Sequence, residues 1–521
     1  MHDGKSVCLA KDERGNVMMN RKALQVGVLC TLLAGCVGME GTAMAAERAV
    51  VQQEAKANAS AGTQAARGGK AVLQKTKEVK QAGITAEQKA KLDKELEALV
   101  GEGPLQVPGL CVIGYRDGKE VYRKSAGRAY VDEKDSTKDR AVTADTRFRV
   151  ASVSKMFVDF ALMKLVEEGK INLDEDCSRY LGMKLRNPNY PEIPITVRML
   201  ALHTSSLRDG SVYGISSSYS LKEFFTPGGM FWEDGKHFAP KGQKPGEYFE
   251  YCNLNYGVLG TVIEAVTGER FDEYQKKNIF NPLDIQADYV PGNFSEKEFE
   301  KLGTIYRKVN EKGVWNENGS WYGQSDNYQG KKPKAEQVII QNPYAKGYNP
   351  VSDLTKYQPG TNATVFSPQG GLRISAEELG HALEMLLNDG NYRGTQVLSK
   401  ASVQEILKQQ WVYDAEKKNG STYNGTIQSY GLGNYKIYGD RQGSRVCKDK
   451  VVDLIGHEGE AYGMMSGLFF QPAQKNGFVY IMNGTAVKED ADSRSLGTFS
   501  GHYIWEEEVM NPICNILMDE N

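Results

Sequence analysis

Arg149-Val150-Ala151-Ser152-Val153-Ser154-Lys155 leads into a helix-forming run: Phe157, Phe160, Ala161 and Leu165 recur at helical spacing, and Gly169 supplies a C-cap. Ser152 and Lys155 are three positions apart, so on a helix they share a face, and a serine at the helix start gains from the dipole and the free backbone N–H groups. A hydroxyl beside an amine can become a nucleophile, with Lys155 accepting the serine proton. A lysine amine is protonated at neutral pH unless burial or a neighbouring cation lowers its pKa, so the surroundings must supply that condition. Ser-x-x-Lys occurs once in 521 residues, fewer than the roughly two that chance allows, so partners elsewhere in the chain must carry the reading.

Upstream, Thr85 caps a helix, with Gln88 at the third helical position completing a capping box before Leu92, Leu96 and Leu99. Residues 107–121 read as strand, turn, strand, with Asp117-Gly118 as the tight turn of a β-hairpin. Downstream, helical patterns recur at 197–202, 256–266, 271–280 and 376–387. Between them, residues 291–351 are polar and rich in Gly, Asn, Lys and Tyr; the stretch is long for a bare loop and reads either as a lid or substrate-binding insertion or as a plain surface insertion. Strand-like runs return at 429–438, 451–456, 464–470 and 478–482, and an amphipathic helix over 503–518 closes the chain. The order predicts an α+β fold: one antiparallel sheet made from both chain ends, flanked by helices, with a mostly helical region inserted between them.

Lys plus Arg number 64 and Asp plus Glu 66, for a net charge of −2 without blocks of one sign, which leaves no electrostatic footprint for nucleic acid. Arg21 and Lys22 precede an apolar run over residues 23–34 that is short for a membrane span, so residues 1–45 read as an export leader, with Met18 or Met19 as candidate starts. Two processing sites compete. Leu33-Ala34-Gly35-Cys36 resembles a lipobox, which would lipidate Cys36 and anchor the chain to a membrane; Ala43-Met44-Ala45 before Ala46 fits ordinary cleavage and a periplasmic or secreted product. Residues 46–83 have little to bury and read as a flexible tether, leaving 84–521 as the folded domain. Five of eight cysteines (Cys111, Cys177, Cys252, Cys447, Cys514) lie beyond the leader, without Cys-x-x-Cys. This is neither a disulfide framework nor a zinc signature, and at least one thiol stays unpaired.

Two further segments accompany Ser152 and Lys155. Pro245-Gly246-Glu247-Tyr248-Phe249-Glu250-Tyr251-Cys252-Asn253 places a Tyr-x-Asn just before an apolar helix, and His457-Glu458-Gly459 follows a strand. With Thr196-Val197-Arg198-Met199-Leu200-Ala201-Leu202-His203-Thr204-Ser205, these ordered motifs resemble the serine β-lactamase and penicillin-binding-protein superfamily. They are most similar to its class C β-lactamase-like branch of D-alanyl-D-alanine carboxypeptidases, esterases and D-aminopeptidases. The resemblance spans about residues 107–482 and implies a β-lactamase/transpeptidase-like fold and an acyl-enzyme route without cofactor or metal. By match, Ser152 is implied as nucleophile, Lys155 as its base, Tyr251 as base and leaving-group acid, favoured as an anion by Lys155 and a cationic His457, and Asn253 as the residue orienting the substrate amide. The same match implies that His457 lies across the cleft and that the backbone N–H groups of Ser152 and Glu460 form the oxyanion hole. His203 is implied to pack rather than react, and Cys252 has no nucleophilic role.

The departures bear on the substrate. His457 stands where β-lactamases usually carry lysine, which resembles carboxypeptidase and esterase members. Glu458 stands where Thr or Ser usually binds a substrate carboxylate. A carboxylate there repels another in a low-dielectric cleft, so with Glu250 and Glu460 it points to an ammonium-bearing substrate such as a D-alanyl ester or a D-amino-acid amide. The expectation is therefore an exported serine hydrolase of the cell envelope acting on a small or wall-derived acyl substrate of D-alanyl type. The alternatives are a D-alanyl-D-alanine carboxypeptidase, a β-lactamase, or a slowly turning over penicillin-binding sensor. A Gly-x-Ser-x-Gly lipase elbow is absent from the sequence.

Overall fold

The computed structural model describes residues 83–132, 134–340, 350–489 and 493–521; the expected leader, most of the tether and Cys36 lie outside them. Seven strands, numbered in chain order, form one sheet: β1 (Gly109–Arg116), β2 (Lys119–Tyr130), β3 (Arg140–Ala141), β4 (Tyr435–Ile437), β5 (Leu454–Ala461), β6 (Met464–Gln471) and β7 (Asn476–Met482). Their order across the sheet is β4-β5-β6-β7-β1-β2-β3, and every pairing is antiparallel. The two chain ends join where β1 meets β7, with Val112 opposite Tyr480. The expected fold class is the observed one.

Strand alternation sorts the core into two layers. Cys111, Ile113 and Tyr115 of β1 join Leu468, Phe470, Val479 and Ile481 on one face. Leu110 and Val112 join Phe469, Phe478, Tyr480 and Met482 on the other. The first face packs against the inserted region, which carries α2 (Ser154–Glu167), α3 (Leu254–Thr267), α4 (Ala376–Leu387) and α5 (Lys400–Leu407) after α1 (Ala86–Ala98) near the start. The second face is covered by α1 and by α6 (Ile504–Leu517), through Leu92, Leu96, Val509, Met510 and Ile513. Covered on both sides, β6 and β7 are buried at every position, which is why they read as continuous apolar runs.

The local signals act as their chemistry requires. Thr85 and Gln88 form the reciprocal capping box of α1, and Asp117 and Gly118 take φ of 50° and 72°, the left-handed pair that a two-residue hairpin needs. Other boundaries differ from expectation. The strand expected at 429–438 breaks into Ser429–Tyr430 and β4, because the chain between them passes close to α2: a Cβ on Gly433 would lie 2.3 Å from Asp159 Oδ2. The helix expected at 271–280 is α-helical only over Phe271–Gln275 and continues as a π-helix over Lys276–Phe280. The polar stretch contains a hairpin, Ile305–Val309 against Ser320–Ser325, that also pairs in parallel with Gly484–Thr485; its Ile305 packs on Ala151 and Met464 beside Ser152. Cys111, Cys177, Cys252, Cys447 and Cys514 are all buried. No helix among the described residues is long and apolar enough to cross a membrane.

Candidate active site

Strand Arg147–Arg149 runs into a single 3-10 turn, Ala151–Val153, and then into α2. Ala151 holds φ at 42°, a left-handed conformation that costs a non-glycine residue about 1–2 kcal/mol. The surroundings fix it. Val150 N donates to Leu372 O at 2.9 Å, Arg149 Nε to Gly370 O at 2.7 Å, Leu372 N to Ser154 Oγ at 3.1 Å and Ser466 Oγ to Val150 O at 2.9 Å. Strand β5 runs directly against the turn: a Cβ on Gly459 would sit 2.3 Å from Val150 O and 3.1 Å from Ser152 N. Across residues 146–163, Ser152 alone is not buried.

Lys155 is fully buried, and its Nζ lies 3.0 Å from Ser152 Oγ, 3.0 Å from Asn253 Oδ1 and 2.8 Å from Gln369 O. The last two can only accept, so two of the amine's directions are committed to N–H donation and the third faces the serine oxygen. Asn253, at the start of α3, donates its Nδ2 to Asp209 Oδ2 at 3.0 Å, while Asp209 Oδ1 accepts from Leu254 N at 2.9 Å. One turn along α2, the buried Asp159 carboxyl accepts from Tyr256 OH at 2.8 Å; burial raises its pKa well above the usual carboxylate range.

The Tyr251 ring centroid lies 4.7 Å from Lys155 Nζ, and its hydroxyl is 3.4 Å from His457 Nε2. Tyr430 OH reaches the same nitrogen at 3.0 Å. The other ring nitrogen, Nδ1, faces the Glu458 carbonyl, which can only accept, so Nδ1 carries the proton and Nε2 is the acceptor. Burial, reinforced by the Lys155 amine whenever that is protonated, holds the His457 pKa down to about 3. The expected second cation is therefore a neutral imidazole, and His457 cannot favour a Tyr251 anion by charge. His203 stacks on Tyr251 at 4.2 Å and accepts from Cys252 N at 3.0 Å, a packing position. Cys252 is buried beneath.

The acidic residues do not gather in the cleft. Glu458 alternates with His457 along β5, so its side chain takes the opposite face, where its Oε2 lies 2.9 Å from His502 Nδ1. Glu250 accepts from Ser421 Oγ at 2.6 Å and Tyr423 OH at 2.9 Å, and that hydroxyl accepts from Tyr251 N at 2.9 Å; Glu250 thus buttresses Tyr251. Glu460 pairs across from Met465 on β6, on the same strand face as Glu458. The expectation that these carboxylates repel a substrate carboxylate is overturned for Glu458 and Glu250, since strand parity and neighbouring hydroxyls direct them elsewhere.

Residues 92–499 match the family model described as Beta-lactamase. The chain belongs to the β-lactamase family. Among curated relatives of this β-lactamase-family chain, Protein flp of Staphylococcus aureus (strain N315) is 29% identical over 223 residues, 42% of this chain and 42% of that protein. A putative D-alanyl-D-alanine carboxypeptidase of Escherichia coli O157:H7 is 28% identical over 214 residues, 39% of this chain and 47% of that protein. The matches thus span less than half the length of these relatives. Two solved structures share the fold. One is the octameric penicillin-binding protein homologue from Pyrococcus abyssi, with TM-score 0.52 and 21% identity over 83% of this chain and 78% of that one. The other is the D-amino acid amidase from Ochrobactrum anthropi SV3 complexed with D-phenylalanine, with TM-score 0.53 and 19% identity over 83% and 99%.

Sequence reasoning missed four contributors around the β-lactamase-family motifs: Asp209, Gln369, Tyr423 and Tyr430. Asp209 stands just past the His203-Thr204-Ser205 segment, where a carboxylate near an expected site residue was a usable signal. Gln369 acts through its carbonyl, which no side-chain pattern reports. Tyr423 and Tyr430 arrive from a segment more than 170 residues beyond Tyr251.

Proposed function

We propose that the chain is an exported serine hydrolase that works through an acyl-enzyme on D-alanyl-type ester or amide bonds. The observation that carries this reading is Lys155: with Asn253 Oδ1 and Gln369 O taking two N–H groups, a neutral amine has its lone pair left for Ser152 Oγ at 3.0 Å. Ser152 Oγ gives its proton to Lys155 Nζ and bonds to the carbonyl carbon. The backbone N–H groups of Ser152 and Glu460 receive the oxyanion. The Tyr251 hydroxyl protonates the departing oxygen or nitrogen, leaving an ester on Ser152. Water then attacks that ester, returning a proton to Tyr251, while Lys155 returns its own to Ser152. His457, neutral and accepting at Nε2, suits a phenol poised to donate. Asn253 aligns Lys155 and offers its remaining amide hydrogen to the substrate.

A D-alanyl-D-alanine carboxypeptidase is the second reading. It gains from the pairing of Glu458 with His502, which removes the argument against a free substrate carboxylate, and from the relative described as a putative carboxypeptidase. The test is a screen of the purified protein and its Ser152→Ala variant against D-alanyl esters, D-amino-acid amides, a D-Ala-D-Ala peptide and a chromogenic cephalosporin. Turnover should fall by about 10³-fold or more in the variant; activity that survives without Ser152 refutes the mechanism, and a stable adduct without turnover favours the sensor. The Arg21–Ala34 leader pattern supports export; loss of membrane association in Cys36→Ala supports the lipid anchor, and unchanged association removes it.

A further inference from the structure

On the face of β5 opposite His457, the side chains of Glu458, His502 and Glu506 converge, each offering one ligand atom within 4.8 Å of the others. His502 Nδ1 lies 2.9 Å from Glu458 Oε2 and 3.9 Å from Glu506 Oε2. The geometry points to a divalent-cation site of zinc type formed by Glu458, His502 and Glu506, separate from the Ser152 cleft and outside the reaction.

Three features fit a metal better than a chance meeting of charges. First, the other nitrogen of His502, Nε2, faces the Ser444 carbonyl at 3.3 Å. A carbonyl only accepts, so Nε2 carries a proton and the backbone fixes the ring in the manner usual for metal-binding histidines, while Nδ1 would exchange its contact with Glu458 Oε2 for the ion on binding. Second, Glu506 sits at the third position of α6, where Tyr503 N donates to its Oε2 at 2.9 Å; the carboxylate is held before any ion arrives.

Third, Tyr480 is fully buried and its hydroxyl has no hydrogen-bond partner. Gly467 of β6 stands in register between Glu458 of β5 and Tyr480 of β7, and a Cβ there would lie 2.3 Å from Tyr480 Cε1 and 2.7 Å from Cζ. The ring therefore leans across the bare glycine toward the carboxylates, and after burial Glu506 and Glu458 are the charges that push its pKa well above the ordinary value. An oxygen in that position suits a fourth ligand or the partner of a metal-bound water. Charge agrees: a dication would balance the two carboxylates within a low-dielectric interior.

The test is direct metal binding by the full chain. Protein stripped with dipicolinate and titrated with zinc should take up about one equivalent, read by elemental analysis after gel filtration, and gain thermal stability. Cobalt in place of zinc should give visible absorption of a low-coordinate nitrogen and oxygen site. His502→Ala and Glu506→Gln should each lose that equivalent, with affinity down by more than about 100-fold, while circular dichroism shows them folded. Two variants are used so that failure of one to fold leaves the other to decide. A parent that binds no zinc, or variants that keep the full equivalent and the thermal gain, overturns the inference.

Discussion

His457 shows how burial can reverse what a motif suggests. In sequence it stands where a cation is usual, yet packed among Tyr251, Tyr430 and Tyr435 it stays neutral, with its pKa held near 3. The unfolded imidazole takes its proton near 6.5, so between pH 6.5 and 3 the unfolded chain binds more protons and stability falls as pH falls, by up to about 1.4 kcal/mol per pH unit. Denaturant unfolding across that window should therefore show a shallower acid slope in His457→Gln than in the parent; equal slopes would mean that His457 charges freely in the fold. Ser152 and Lys155 were legible as a pair from their spacing at a helix start, whereas Tyr251 and Asn253 were legible only through the resemblance of their motif to the family's. Glu458 was misread because its neighbour in sequence points to the cleft and strand parity sends the next residue away. Gln369 was invisible because a carbonyl has no residue identity.

Elements transmit precision to the site, and β5 does so most directly. Its Gly459 backbone lies against Val150 O and Ser152 N with no room for a methyl group. Gly459→Ala must push the strand from the nucleophile turn, so we expect a loss of about 1–3 kcal/mol of stability and at least a tenfold fall in turnover, read by thermal unfolding and by initial rates on the best substrate from the screen. A variant with unchanged rates would show that the Ser152 turn does not depend on β5. The capping box of α1 and the Asp117-Gly118 turn were readable because a few adjacent residues decide them. The break between Tyr430 and Tyr435 was not, since it is imposed by Asp159 on a distant helix.

At the scale of the whole molecule, the order of elements carried the architecture. Hairpin first, helices in the middle and strands last leave one economical solution, in which β1 closes on β7, and the apolar runs of β6 and β7 require cover on both faces. The same closure brings Ser152, Tyr251 and His457, scattered over 300 residues of sequence, to one cleft at the edge of β5. The central claim is that this assembly forms an ester on Ser152. Intact-protein mass spectrometry after exposure to a reactive β-lactam, followed by peptide mapping, tests it most directly. The account predicts one added acyl mass, located on Ser152 and absent from Ser152→Ala; an adduct on another residue, or one that persists in the variant, would contradict it.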